Sequence, residues 1–150
     1  MEASTNHPMT RTATGTALGT VVLIEALTFW IGALLHLGTQ IPLGFTVIAE
    51  PRIIPATIVE GLAGLLLAVG AYAIFTRQRW AWPVAIIAHI FSIAGVLLGI
   101  TMLALGFGPR TELNTAYHWT ILTLLVIVLI WLLSTGKAAL GWGNGAAGRR

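Results

Sequence analysis

The sequence predicts an all-α integral membrane protein, a bundle of four transmembrane helices. Three observations predict it. Of the 150 residues, 57% are hydrophobic and only 9% are charged, against about 25% charged in a typical soluble domain. The mean hydropathy is +0.89, which excludes a small water-soluble fold and, with so little charge, a disordered chain. The apolar residues also gather into four segments of roughly 20 residues or more, the length that crosses a hydrocarbon core of about 30 Å as a helix. Backbone N–H and C=O groups have no water to bond in lipid, so segments of this kind are helical.

The first span is read from about Thr16 to Leu37, after a polar N-terminal tail over residues 1–15. It is too long for a cleaved signal peptide and contains Glu25 and His36. The second runs from Ile53 to Phe75 and opens between Pro51 and Pro55. The third runs from Trp82 to Phe107, with Pro83 in its first turn. The fourth runs from Leu113 to Leu133, after Pro109, with Thr111 or Asn114 as its cap. The transmembrane domain thus covers residues 16–135, and residues 136–150 form a Gly/Ala-rich C-terminal tail. The loop between the first two spans, Gly38 to Arg52, carries Ile41, Leu43, Phe45, Val47 and Ile48. So much apolar surface suits either an interfacial helix or a lid folded over the bundle mouth.

Basic residues orient the bundle. Arg11, Arg77, Arg79, Lys137, Arg149 and Arg150 fall on one side, and only Arg52 and Arg110 on the other. The positive-inside rule therefore expects a multi-pass cell-membrane protein with both termini cytoplasmic. Trp80, Trp82 and Trp142 suit the inner interfacial belt and Trp119 the outer one. The basic residues are too scattered for a phosphate-binding patch, so the expected partner is the lipid bilayer and not nucleic acid. Gly95 and Gly99 form a GxxxG, whose small residues suit tight packing within the bundle or homo-oligomerisation.

Chemistry has few carriers. Cysteine is absent, which excludes disulfides, thiolate metal sites and cysteine nucleophiles, and there is no aspartate. Five ionisable residues lie inside the spans: Glu25, His36, Glu60, His89 and His118. Such residues are costly in lipid and are candidates for function. Helix rise sorts them by depth: Glu25 and His89 fall about 10 Å from the inner ends of their helices, and Glu60 and His118 about 8 Å below the outer ends. His36 lies near the outer end of the first span, on the same face as Glu25 and separated from it by about three helical turns. Two layers result. Glu25 and His89 form an inner pair, read either as a register-fixing hydrogen bond or as a proton relay. His36, Glu60 and His118 form an outer layer, with Tyr117 and Trp119 beside it.

Three ligand chemistries suit the outer layer. His36, Glu60 and His118 are donor types for zinc, copper or non-haem iron. His36 and His118 at similar depth suit the two axial positions of a haem. A pocket of histidine, glutamate, Tyr117 and Trp119 suits a quinone or another amphipathic ring, whose oxygens need hydrogen-bonding partners. A fourth reading needs no cofactor: a helper subunit or small-solute permease whose polar residues serve assembly or passage.

The stretch Pro55–Ala56–Thr57–Ile58–Val59–Glu60–Gly61–Leu62–Ala63–Gly64–Leu65–Leu66–Leu67–Ala68–Val69–Gly70, followed by Arg77–Gln78–Arg79–Trp80–Ala81–Trp82, resembles the second helix and basic cytoplasmic loop of DoxX-like membrane proteins. The resemblance covers about 25 residues, with overall length and four-span layout in agreement. It implies a quinone-linked membrane redox partner, with Glu60 in the place of the family's glutamate. The first span lacks the arginine expected in its outward half and has His36 instead, and the Gly108–Asn114 loop with Tyr117–His118 is not assigned to that family. These departures bear on a shared activity more than on a shared fold.

Overall fold

The computed structural model describes the backbone of residues 8–139 and the side chains of residues 13–134. The C-terminal tail from Gly141, with Trp142, Arg149 and Arg150, lies outside the described residues, as do the side chains of Arg11 and Lys137. Four helices dominate: α1 (Pro8–Leu37), α2 (Ile54–Phe75), α3 (Ala81–Ala104) and α4 (Glu112–Ala139). Each contains a stretch long and apolar enough to cross a membrane, namely Ala13–Leu37, Ile54–Phe75, Ala81–Ala104 and Glu112–Ser134. The protein is an all-α, four-helix membrane bundle.

Helix limits follow local chemistry. α1 is described from Pro8, earlier than apolarity alone suggests, because the polar residues after it tolerate helix outside lipid. α3 stops at Ala104 and not at Phe107, because Gly106 takes φ +81°. The amides of Gly106 and Phe107 then bond back to Leu103 and Met102, closing a Schellman motif. α1 ends the same way on Gly38, and α2 ends on Arg77, a non-glycine residue at φ 54°. At the start of α4, the Thr111 hydroxyl accepts the Asn114 amide at 3.0 Å, so Thr111 is the cap.

Short connections place successive helices side by side. α1 lies along α2, α2 along α3 and α3 along α4, while α4 closes more loosely on α1. α1 and α3 therefore face each other across one diagonal, and α2 and α4 across the other. The core is made of small and branched residues, among them Val22, Ala26, Ala63, Leu67, Ala85 and Leu125. Large apolar side chains such as Ile24, Leu65, Ile87 and Ile127 point outward. That arrangement suits a bundle whose surroundings are as apolar as its core. Glycine sets the closest approach: a Cβ on Gly64 would stand 2.5 Å from the Trp30 ring and 3.1 Å from the Ala26 carbonyl oxygen.

The loop after α1 is neither an interfacial helix nor irregular chain. Strands β1 (Ile41–Pro42) and β2 (Val47–Ile48) pair antiparallel. Gly44 at φ +83° turns the chain between them, and the Leu43 amide donates to the Thr46 carbonyl at 2.8 Å. Pro42, Gly44 and Pro51 argue against helix at this place. The tip residue Phe45 is 90% exposed. The base of the hairpin is tied to the bundle by the Ile53 amide on the His36 carbonyl (2.9 Å) and by the Thr111 hydroxyl on Glu50 (2.8 Å).

Candidate functional site

The hairpin end of the bundle contains a cavity of about 220 Å³. Its position follows from helix direction. The end of α1, the start of α2, the end of α3 and the start of α4 all meet there, and each brings residues to the wall. His36, Glu60, Asn114 and His118 supply a polar side, and Phe29, Val59, Val96 and Leu103 are part of an otherwise apolar lining.

Each polar side chain is held from a different helix. His36 places Nδ1 3.3 Å from the Pro51 carbonyl oxygen and Nε2 3.8 Å from Glu60 Oε1. Glu60, 5% exposed, fits because α1 has a glycine opposite: a Cβ on Gly32 would stand 2.8 Å from Glu60 Oε2. That Oε2 atom is buried with no hydrogen-bond partner. An unsatisfied buried carboxyl oxygen is costly, and such atoms call for an explanation such as a bound molecule. His118 donates from Nδ1 to the Asn114 carbonyl at 2.8 Å, a bond along its own helix that aims Nε2 at Gly99. A Cβ there would stand 2.8 Å from Nε2.

The expected outer layer of His36, Glu60 and His118 therefore lines one space. Tyr117 and Trp119 do not line it. The 100° step between helix residues explains the difference: turning His118 inward swings its two neighbours to either side. The Tyr117 hydroxyl lies 3.4 Å from the Thr28 carbonyl oxygen, bridging α4 to α1 where those helices pack loosely. Its ring meets that of His118 edge-on, with centroids 5.5 Å apart. Trp119 is 56% exposed on the outer face.

The geometry bears on two cofactor expectations. Among the described residues no three His, Cys, Asp or Glu side chains are grouped closely enough to hold a metal ion. Glu60 on α2 and His118 on α4 come from opposite corners of the bundle, so the three candidate ligands surround a space and do not converge on a point. The volume also suits one substituted ring, since a cavity of about 150 Å³ holds benzene; a four-pyrrole macrocycle is far larger.

Below the cavity lies the second polar contact. His89 Nε2 is 3.1 Å from Glu25 Oε2, with both side chains fully buried. His89 Nδ1 donates to the Ala85 carbonyl at 2.6 Å. The contact crosses the α1–α3 diagonal, and one proton serves it whichever residue holds that proton. Glu25 Oε1 and Ser92 Oγ, both buried, lack partners. Phe29, one turn on from Glu25 and part of the cavity lining, separates this pair from the cavity on α1. No Arg–Glu ion pair forms among the described residues.

The GxxxG glycines face inward. Gly95 packs against Val59 and Gly99 against His118, so both serve packing within the chain and both line the cavity. The contributions of Phe29, Gly32 and Asn114 were not expected. The first two share the α1 face that carries Glu25 and His36, which was the available signal. Asn114 was read only as a cap, whereas Thr111 takes that role and leaves Asn114 to the cavity wall.

Comparison with protein-family models, with curated proteins and with solved structures gave no match for this chain.

Proposed function

We propose that this protein binds a quinone-like or other single-ring amphipathic ligand in the cavity at the hairpin end, as part of a membrane redox system. The observation that supports this most is the buried, partnerless Glu60 Oε2 on the wall of an otherwise apolar cavity of about 220 Å³ within the spans. A ligand pocket that is mostly apolar with a few convergent polar groups has this character. The volume supports one ring with its substituents. His36, Glu60, His118 and Asn114 orient the polar edge of the ring, and Phe29, Val59 and Leu103 hold its body. The basic loop at Arg77 and Arg79 supports cytoplasmic termini, with the cavity toward the outer face of a cell membrane. The DoxX-like resemblance of the second span favours the same class of ligand.

The Glu25–His89 pair carries protons to and from this site in the proposed scheme, with Ser92 beside it on α3. Its full burial, its single shared proton and the unpartnered Glu25 Oε1 support that role.

The test is binding of a short-chain alkylhydroquinone, kept reduced, to the purified protein in lipid nanodiscs, with empty nanodiscs as the partition control. Glu60→Gln and His118→Ala are each expected to weaken binding about tenfold, the loss of one hydrogen bond in a dry site. Unchanged binding in both folded variants overturns the assignment.

A further inference from the structure

We propose that the occupant of the cavity is a lipid-dissolved hydroxyl donor, of the hydroquinone or alkylphenol class, that enters sideways from the bilayer between α2 and α3. This rests on the cavity being a ligand site and specifies what the site selects.

The selection follows from which atoms face the cavity with lone pairs. A backbone carbonyl oxygen only accepts, so the contact of His118 Nδ1 with the Asn114 carbonyl places the hydrogen on Nδ1. In the neutral ring Nε2 is then an acceptor. It is left uncovered because residue 99 is glycine. The same logic holds for His36, whose Nδ1 faces the Pro51 carbonyl and whose Nε2 is turned toward Glu60. Glu60 adds two carboxyl oxygens, one of them without a partner. If Glu60 carries a proton, His36 Nε2 at 3.8 Å is the nearest base for it. His118 Nε2 remains an acceptor in either state. Acceptors therefore outnumber donors on the polar wall, where hydrogen comes only from the Asn114 amide and from Glu60 when it is protonated. A quinone carbonyl brings only lone pairs to this wall; a hydroquinone or phenol brings the O–H that it lacks.

The route follows from which lining residues are also exposed. Pro55 at the start of α2, and Leu98 and Met102 near the end of α3, line the cavity and are exposed on the outer surface. They mark an opening on the flank of the bundle, within or at the edge of the spans Ile54–Phe75 and Ala81–Ala104. Gly95 faces Val59 across this seam, so α2 and α3 approach closely just below it. A side opening framed by proline, leucine and methionine meets lipid chains and suits an apolar molecule already dissolved in the bilayer.

The experiment compares a long-chain alkylphenol with its methyl ether, which differs only in lacking the donor, for the protein in lipid nanodiscs and with partition into empty nanodiscs subtracted. The phenol is expected to bind about tenfold more tightly than the ether. His118→Phe keeps ring volume without the acceptor and is expected to remove the preference. Gly99→Ala, which covers Nε2 with a methyl group, is expected to reduce it should the first variant fail to fold. Leu98→Trp at the rim is expected to slow the association of phenol and ether alike. Equal or tighter binding of the ether overturns the donor assignment, and an unchanged association rate in Leu98→Trp overturns the side entry. Binding of the alkylhydroquinone with no preference for phenol over ether would contradict this inference alone, whereas failure of all three probes to bind would overturn the ligand site itself.

Discussion

Among the described cavity residues, Glu60 holds the buried side-chain oxygen that lacks a hydrogen-bond partner. Its carboxyl group is admitted by Gly32, approached by His36 at 3.8 Å, and left with one oxygen unpaired. Its position inside an apolar span marked it in the sequence, and no lysine or arginine on its own helix offered a bland explanation. Gly32 was invisible as a partner, because the pairing of α1 with α2 is a tertiary fact. Gly32→Ala would place a methyl 2.8 Å from Glu60 Oε2. It is expected to lower stability by about 1–3 kcal/mol through overpacking, read as a lower unfolding midpoint in detergent, and to weaken ligand binding with it. A stable variant with unchanged binding would show that the carboxyl group has room to spare. Tyr117 and Trp119 teach the converse. Residue type and depth placed them near the site, but a single helical step decides facing, and only the bundle's packing fixes which residue of a run turns inward.

At the scale of elements, the helices were legible because their apolar length exceeds what any soluble element needs, while their ends depend on finer signals. Gly106 at positive φ ends α3 one turn early, and Thr111 decides the start of α4. The sequence offered Thr111 and Asn114 as equal cap candidates; the spacing of the Thr111 hydroxyl to the Asn114 amide resolves them. Thr111 also donates to Glu50, so it joins the hairpin base to α4. Thr111→Ala is expected to cost about 1 kcal/mol from the lost cap alone, and to raise amide hydrogen exchange in the first turn of α4. Exchange unchanged there would contradict the capping role. The hairpin itself was hidden: short strands of two residues leave no periodicity to read, and the apolar character of Leu43, Phe45 and Val47 fitted a helix equally well.

On the scale of the whole molecule, the Glu25–His89 contact ties together the two helices of one diagonal, which do not run side by side. Depth counting along the two spans brought this pair together before any coordinates, since both residues sit a similar distance from the same end. Glu25→Ala and His89→Ala are each expected to destabilise by about 1–3 kcal/mol by leaving a buried polar partner unsatisfied. The double replacement Glu25→Leu with His89→Leu is expected to cost less than the sum. Strict additivity would show that the two side chains do not act as a unit. Orientation is tested on the same scale. A single cysteine placed at Gln78 in this cysteine-free chain is expected to resist impermeant thiol reagents in intact cells, whereas one at Phe45 is expected to label; the reverse pattern would invert the bundle.

The central claim is that the cavity at the hairpin end is a ligand site within the membrane. The most direct measurement is photo-crosslinking in lipid with an azido derivative of a long-chain alkylphenol, followed by peptide mapping. The account predicts adducts confined to the cavity wall around Val59, Leu98 and Met102, suppressed by excess unlabelled phenol and lost in Glu60→Gln. Adducts spread over the lipid-facing residues of α4, such as Ile127 and Ile130, and indifferent to competitor would contradict it.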